Sequence, residues 1–392
     1  MYPDLDYAMW RRRRRREIAR ELQAPGYADL LARHPVMSDT GSRSAHVVVV
    51  PLKGEDHKEF GPAEGNYYYE AGQLLREAGI STSVVSVHRG EPEATWHARL
   101  LDHLKDTGAT HLFTHAENDP ESDGGSFTWD RWWTMAAARW DGILIGNMFD
   151  SSYPWITAGS RQLARISDRY LLVDICIPMD GVLVRGRPEV GPVLQPMSRQ
   201  TVALLDQRLA SVEPDHDVSF IGALYPYRVE LIERLRADGV SVAVNPHREG
   251  GEGSLEASRR DQPGWLEFMA GLASSRMTIN FSQSSAGPFQ QLKWRVTEAT
   301  MAGALLLTDD RDRTSRYFRP DEFASFTDLD DLPGVIEALV ADPVRLESVR
   351  VAGAERVRRL VHTDLWSSID TVLARRGLPT VGFLADPVGG AG

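Results

Sequence analysis

Apolar strands and amphipathic helices alternate in two successive series along the chain. The first series begins at residues 46–50, where four consecutive valines predict a strand buried on both faces, as in a parallel sheet. Further strands are predicted over residues 83–87, 110–115, 142–147 and 170–177, with helices over 66–78, 94–106, 129–140 and 160–165. This alternation is typical of a doubly wound α/β domain.

The second series follows a segment rich in Pro, Gly and Val at residues 178–196, which predicts a crossing between domains. Strands are predicted over residues 217–221, 240–245, 277–281, 304–308 and 323–327, and helices over 199–209, 228–237, 264–274, 290–301, 332–341, 345–360 and 365–375. We therefore predict an α/β protein with two tandem Rossmann-like domains that face a cleft. The expected division is a basic helical extension at 1–40, domains at 41–200 and 201–376, and a tail at 377–392.

The bulk composition agrees with two globular domains and narrows the class of protein. The chain has 392 residues, of which 42% are hydrophobic, and a formal charge of −11, which argues against nucleic acid or an anionic membrane as a bulk partner. No segment approaches the roughly 20 apolar residues of a membrane span. Cys176 is the only cysteine, so we expect a buried structural thiol and a cytoplasmic protein.

Residues 11–16 are six consecutive arginines within a predicted helix. The charged sequence EIAREL follows them, where a signal peptide would have an apolar region. The run is either a solvated or interdomain helix face or a docking site for a nucleic acid or another acidic partner. The pattern leaves both interpretations open.

The stretch from 276 to 310 reads as strand, polar loop, helix and strand, and it has the most polar first turn of the second series. Gly287 and Pro288 precede the predicted helix, where backbone N–H groups can bind an anion. On that helix Gln291, Arg295 and Glu298 are expected on one face. This combination suits a phosphorylated, polyhydroxylated ligand, although Arg295 and Glu298 also fit an ordinary surface ion pair.

A second candidate anion-binding turn follows the strand predicted over residues 217–221. Gly222 comes directly after this strand, and Arg228 begins the next helix. In this arrangement the backbone and a guanidinium group can contact a diphosphate together. A glycine that only permits a turn is the alternative. Because ligands of open α/β sheets lie beyond the carboxyl ends of the strands, the loops after Ile221, Asn245 and Phe281 are expected to line one pocket.

These residues carry a resemblance to a known family. Residues 217–371 resemble the donor-binding domain of GT-B glycosyltransferases, and within them the CgeB-type spore-maturation group. The matching motifs, in chain order, are FIG with Arg228, SRMTINF, LKWRVTEA followed by AGALLLTD, YFRPDEF and HTD.

The resemblance implies a nucleotide-sugar site without a metal or other cofactor. It assigns Glu298, followed five residues later by Gly303, to the ribose hydroxyls. Related retaining enzymes have a second glutamate eight residues earlier, where this chain has Gln290. Many relatives also have a basic residue where this chain has Ala223. We therefore expect the donor to contact Gly222, Arg228, Asn280, Gln290, Lys293, Arg295 and Glu298.

The acceptor and the general base are expected from the first domain. The candidate catalytic residues are His57, His115 and Glu117, which follow its strands. A histidine can take the proton of the acceptor while a carboxylate orients its ring. Both histidines also fit solvated or capping positions, and the aromatic residues near them fit either acceptor stacking or the core.

The sequence thus predicts a hexosyltransferase-like enzyme that moves a sugar from a nucleotide-diphosphate donor to a small-molecule or glycan acceptor. A nucleotide-sugar epimerase of the same fold is one alternative. A non-catalytic nucleotide-sugar-binding module with a basic docking helix is another. Nucleic acid is not expected as a partner, and an assembly of identical chains stays open.

Overall fold

The structure is a computed structural model. It describes residues 3–36, 44–51, 65–87, 91–116, 128–149, 154–176, 188–246, 264–283 and 290–383.

The first domain contains a parallel sheet of five strands in the order β2-β1-β3-β4-β5. In chain order its elements are α1 (Pro3–Glu21), α2 (Pro25–Arg33), β1 (His46–Val50), α3 (Tyr67–Glu77), β2 (Ser81–Val84), α4 (Glu93–Asp106), β3 (His111–His115), α5 (Trp129–Ala136), β4 (Ile143–Met148), α6 (Pro154–Ile166) and β5 (Tyr170–Asp174).

The valines of β1 show why this sheet has two covered faces. Val48 and Val50 pack into a core that includes Trp129, Trp132 and Trp133, while Val47 and Val49 pack into the core on the other face. Successive side chains of a strand point to opposite faces, so an unbroken apolar run requires a layer on each side. The three tryptophans are fully buried and belong to the core.

The second domain repeats the same topology. Its elements are α7 (Arg199–Leu209), β6 (His216–Phe220), α8 (Pro226–Ala237), β7 (Val242–Val244), α9 (Trp265–Ala273), β8 (Ser275–Asn280), α10 (Trp294–Met301), β9 (Leu305–Thr308), β10 (Ala324–Ser325), α11 (Leu332–Ala341) and α12 (Pro343–Leu360). The sheet order is β10-β9-β8-β6-β7 and all its pairings are parallel. Numbered from its own first strand, each sheet has the order 2-1-3-4-5, which is a doubly wound arrangement. The predicted pair of Rossmann-like domains is confirmed.

The last helix, α13 (Asp364–Arg375), packs against the first domain. Trp366 is fully buried there, and its indole Nε1 donates to the carbonyl of Ala71 at 2.8 Å. Asp370 then accepts from the backbone N–H groups of Val381 and Phe383, which fixes the following segment on the same core. The sequence division placed this helix in the second domain and residues 377–392 in a tail, whereas the packing joins residues 364–383 to the first sheet.

Two glutamates of α3 hold the start of α7 and so connect the domains. Glu70 is buried and accepts from Ser198 N and Thr201 Oγ1, both at 2.6 Å. Glu77 accepts from Arg199 N at 3.0 Å. Carboxylates at a helix N-terminus satisfy the unpaired N–H groups and interact favourably with the helix dipole. The first turn of α7 is therefore capped by side chains of the other domain.

Several predicted boundaries shift by a few residues. The predicted helix over 129–140 ends at Ala136, and the strand predicted over 83–87 is Ser81–Val84. Cys176, expected to be buried, is half-buried.

The arginine run lies in α1, as predicted. In α1, Arg14 pairs with Asp130 of α5 at 2.7 Å and Arg13 with Glu17 at 2.9 Å, while Arg12, Arg15 and Arg16 are exposed. Among the helices of the described ranges, none has the length and apolar composition needed to cross a membrane.

Candidate functional site

Three loops of the second domain meet beyond the carboxyl ends of β6, β7 and β8. Gly222 follows β6, and its N–H donates to Asn245 Oδ1 after β7 at 2.8 Å, while Asn245 Nδ2 donates back to the Gly222 carbonyl at 3.3 Å. Tyr227 Oη donates to the carbonyl of Gln283 after β8 at 2.8 Å. These hydrogen bonds hold the loops together as one surface.

Gly222 has φ of 145°, in the region that favours glycine. A Cβ atom built on it would lie 2.5 Å from Nη2 of Arg295. The missing side chain therefore makes room for the Arg295 guanidinium group. Sequence spacing identified Gly222 and Arg295 separately, and the structure places them in contact.

The guanidinium group of Arg228 is enclosed by aromatic rings. It lies 4.8 Å from the ring centre of Tyr225, 5.4 Å from that of Tyr227 and 5.7 Å from that of Phe220. Its Nε donates to Tyr227 Oη at 2.8 Å and its Nη1 to the carbonyl of Ala223 at 3.0 Å. The side chain is 8% exposed. Cation–π contacts and hydrogen bonds thus fix this cation beside the loop after β6.

Arg295, which is half-buried, and Glu298, which is buried, lie on α10, and their opposite charges interact. Glu298 is 7% exposed, and burial raises the pKa of its carboxyl group to about 7, although the charge of Arg295 acts in the opposite direction. Burial lowers the pKa of Arg295 to about 10, against the attraction of Glu298 and together with the repulsion of Arg228. Among the described residues, Arg295 Nε has no hydrogen-bond partner. Because Glu298 is buried, the pair differs from the surface ion pair that the sequence left open.

Residues 290–293 precede α10, although the sequence predicted a helix from 290. Gln283 and Gln290 form an isolated antiparallel bridge, and Gln291 N donates to Ser282 O at 2.9 Å. Leu292 N donates to the carbonyl of Cys176 in the first domain at 2.7 Å. These contacts hold the segment extended, so Gln291 does not share a helical face with Arg295 and Glu298.

Two residues that were predicted to contact the nucleotide-sugar donor lie in this extended segment. Gln290 Oε1 accepts from Ser282 Oγ at 2.6 Å, and Lys293 Nζ donates to Gln291 Oε1. Lys293 is the N-cap residue of α10, at the positive end of the helix dipole.

Asn280, the last residue of β8, contacts residues at and after the carboxyl end of β9. Its Nδ2 donates to Thr308 Oγ1 and to Asp312 Oδ2, both at 3.2 Å. Burial raises the pKa of Asp312 to about 6, while Thr314 acts in the opposite direction. Asp312 was not a candidate, and its only sequence signal is its place in the loop after β9.

Aromatic residues of both domains meet next to the site. The interdomain aromatic cluster consists of Tyr67, Phe149 and Trp294. The rings of Tyr67 and Trp294 are stacked, with centres 6.0 Å apart, and Phe149 meets both rings edge to face. His115, at the end of β3, stacks on Phe149 at 5.5 Å. This cluster connects the predicted base to the first residue of α10.

Trp265 also connects the domains. A Cβ atom on Gly65 would lie 2.5 Å from Cδ1 of Trp265, so the indole lies against the backbone of the first domain. Neither Trp265 nor Trp294 was a candidate, because helical aromatic residues are usually part of the core.

His57, Glu117, Gly287 and Pro288 lie outside the described residues. The loops and helix described above contain Gly222, Arg228, Gln290, Lys293, Arg295 and Glu298, whereas His115 is the last residue of β3 in the first domain. Within the described ranges, no group of three or more His, Cys, Asp or Glu residues is placed to hold a metal ion.

Comparison with known proteins relates the second domain to a family and the whole chain to a fold. Residues 228–364 match a family model described as "Glycosyl transferase-like". No curated protein matches the sequence. Sucrose-phosphate synthase from Thermosynechococcus elongatus has a similar structure, with a TM-score of 0.50 and 12% identity over 85% of this chain and 97% of that one.

Two further solved structures align less closely. HepE from Anabaena in complex with UDP-glucose has a TM-score of 0.47 and 10% identity, covering 85% of this chain and 99% of its own. A glycosyltransferase from Rickettsia africae has a TM-score of 0.46 and 7% identity, with the same coverage. At such identities a likeness shows the fold alone. The chain therefore has a GT-B-like fold, and its second domain is glycosyl transferase-like in sequence.

Proposed function

We propose that this protein is a glycosyltransferase that transfers a hexosyl group from a nucleotide-diphosphate sugar to an acceptor held by the first domain. The observation that carries the proposal is the convergence of Gly222, Arg228, Arg295 and buried Glu298 beyond the carboxyl ends of β6 and β8. The match of residues 228–364 to the glycosyl transferase-like family supports it. From its sequence motifs, we assign the chain to the CgeB-type group.

In the proposed site, Glu298 accepts hydrogen bonds from the ribose hydroxyls. Arg228, Lys293 and Arg295 lie next to the diphosphate and neutralise its charge. As the bond from the anomeric carbon to the diphosphate breaks, negative charge develops on the leaving oxygen, and these fixed cations stabilise it more than the ground state. In this proposal the cations do the work that a metal ion does in other transferases.

On the acceptor side, we assign the general base to His115. The acceptor oxygen attacks the anomeric carbon, its proton passes to His115, and the diphosphate leaves with the electron pair of the broken bond. The stack on Phe149 fixes the plane of the imidazole ring. Gln290 is assigned to a sugar hydroxyl. His57 is the alternative general base, and Glu117 is the candidate carboxylate that orients the imidazole ring. We place the reaction in the cytoplasm, a reducing compartment that suits a chain with Cys176 as its single cysteine.

Calorimetry with UDP, GDP and dTDP tests the donor site. The variant Glu298→Ala is compared with Glu230→Ala, which removes an exposed carboxylate of α8 in the same domain. We expect Glu298→Ala to weaken the preferred nucleotide at least about 10-fold, since a lost hydrogen bond to a charged group costs about 1.5–3 kcal/mol. The control should bind like the wild type. Equal affinities in all three proteins would show that Glu298 does not bind the ribose.

Turnover of a panel of nucleotide sugars then tests the reaction. Transfer to an added glycan that persists in EDTA supports the metal-independent mechanism. Donor conversion without any acceptor would favour the epimerase. Tight nucleotide binding without conversion of any donor would favour the binding module.

A further inference from the structure

A second pocket lies on the first domain, away from the proposed donor site. The basic pocket, as we call it, has a volume of about 430 Å³ and is lined by residues that include Arg15, Ile18, Leu22, Gln162, Arg165 and Ile166. It lies between α1 and the carboxyl ends of α5 and α6, which lead into β4 and β5. It is therefore at the edge of the sheet where strands begin, whereas the donor site lies where strands end.

The floor of the basic pocket is apolar. Positions 15, 18 and 22 of the chain follow helical spacing, so α1 and the turn after it present Ile18 and Leu22 below Arg15. Ile166, the last residue of α6, contributes from the other side. Aliphatic side chains of this kind favour a ligand with a hydrocarbon portion.

Gln162 supplies a buried polar group that lacks a protein partner. It lines the pocket, its side chain is 1% exposed, and its Oε1 atom has no hydrogen-bond partner among the described residues. Leaving a buried polar atom without a partner costs about 1–3 kcal/mol. An amide carbonyl oxygen accepts hydrogen bonds, so a hydroxyl group of a ligand can satisfy it.

The rim of the pocket is positively charged. Arg15 and Arg165 are exposed on opposite sides, and Arg12, Arg16 and Arg20 are exposed on α1. The carbonyl end of α5 would repel an anion, but Arg169 donates to the carbonyl of Ala137, the C-cap residue of α5, at 2.5 Å. Arg139 donates to that of Met135 at 3.1 Å. In a chain of formal charge −11, this is a local concentration of cations.

We propose that the basic pocket binds the phosphate headgroup of an anionic membrane lipid. Arg15 and Arg165 bind the phosphate, Gln162 Oε1 accepts from a headgroup hydroxyl, and the apolar floor contacts the adjoining methylene groups. The other exposed arginines of α1 contact neighbouring headgroups, each contributing about 1 kcal/mol near an anionic surface. An apolar contact together with a basic patch provides the two signals that stable attachment to a bilayer requires.

Charge and shape favour a lipid over a nucleic acid as the occupant. Proteins that bind single strands combine cations with aromatic platforms for the bases. The residues lining the basic pocket include no aromatic side chain. An aliphatic floor with a buried amide fits a phosphate ester of a hydrocarbon alcohol better.

Vesicle flotation tests this proposal with the full-length protein. The vesicles contain phosphatidylcholine alone or phosphatidylcholine mixed with phosphatidylglycerol. We expect binding to the mixed vesicles only. The double variant Arg15→Gln, Arg165→Gln should bind about 30-fold more weakly, from about 1 kcal/mol for each arginine. The control is Arg345→Gln, Arg375→Gln, which removes two exposed arginines elsewhere and should change binding less than about 3-fold.

Two further measurements separate the pocket from general charge attraction. Gln162→Leu keeps the charge and should weaken binding to the mixed vesicles, while thermal unfolding checks that the variant folds. Titration with hexyl phosphate gives the affinity for a soluble phosphate ester. Equal losses in the pocket and control variants would overturn the proposal. So would binding of hexyl phosphate without binding to mixed vesicles, or binding of a single-stranded oligonucleotide that exceeds vesicle binding.

Discussion

The carboxyl group of Glu298 is buried where its charged form is costly. Burial raises its pKa from 4.5 to about 7, so the folded protein holds this proton more tightly than the unfolded chain. A group that binds its proton more tightly when folded stabilises the protein at low pH, and this contribution is lost as pH rises from about 4.5 towards 7. Above that pH, the folded protein has a buried anion whose desolvation is only partly offset by the charge of Arg295.

This residue yields a prediction about stability. Glu298→Gln should raise the free energy of unfolding at about pH 8 by up to about 3 kcal/mol, because the variant has no carboxylate to bury. At about pH 5 the gain should vanish, since the wild-type group is then protonated. Chemical unfolding at both pH values measures the difference.

The matched control is Glu230→Gln, which changes an exposed carboxylate of the same domain. Its effect should be small at both pH values. A gain for Glu298→Gln that is equal at the two pH values would show that burial of the charge is not its cause.

The sequence predicted which residue types lie at this site better than it predicted which residues their side chains contact. The six-residue spacing from Gly222 to Arg228 and the three-residue spacing from Arg295 to Glu298 are local, and spacing shows local proximity. The pairing of Asn280 with Asp312 and the contact of Arg295 with Gly222 join separate loops. Those contacts follow from how strands pair, which residue spacing does not encode.

At the scale of elements, the residue at which α10 begins depends on both local helix propensity and contacts with distant residues. Residues 290–293 suit a helix, but the backbone N–H of Leu292 bonds to Cys176 of the other domain. The bridge between Gln283 and Gln290 uses neighbouring backbone groups. Helix propensity differs between ordinary residues by less than about 1 kcal/mol, so such tertiary contacts decide where the helix begins.

The stacking of Tyr67 on Trp294 should couple the two domains measurably. We predict a coupling free energy of about 0.5–1.5 kcal/mol in a double-mutant cycle with Tyr67→Leu and Trp294→Leu. The measurement is the free energy of unfolding of the four proteins.

A second cycle with Tyr67→Leu and Trp265→Leu serves as the control, because Trp265 contacts the backbone at Gly65 and packs with the core of the second domain. A smaller coupling is expected there. If the Tyr67–Trp294 cycle gives no coupling, the stack does not connect the domains energetically.

For the whole molecule, hydrophobic periodicity was sufficient to predict the architecture. Unbroken apolar strands such as the valines of β1 require helices on both faces, and parallel strands require helical crossovers. Periodicity does not identify the partner of an amphipathic helix. The apolar face of α13 is evident in the sequence, but its position on the first sheet is a property of the packed molecule.

This packing predicts which domain a core substitution destabilises. Trp366→Ala should destabilise the first domain by about 3–5 kcal/mol, although Trp366 follows the second domain in sequence. Hydrogen exchange should then increase in β1 and β4 more than in β8 and β9.

Val357→Ala is the reciprocal control, because Val357 of α12 is buried in the core of the second domain. It should increase exchange in β8 and β9 instead. Faster exchange in the second sheet alone for Trp366→Ala would contradict the assignment of α13 to the first core.

The return of α13 also determines how the domains can move. The chain crosses between them twice, once before α7 and once before α13. With a single crossing, one domain can rotate about several axes relative to the other. With two crossings, the connection acts as a hinge with one preferred axis. We expect any motion of one domain relative to the other to be a bending about the line through residues 198 and 364, with little freedom to twist.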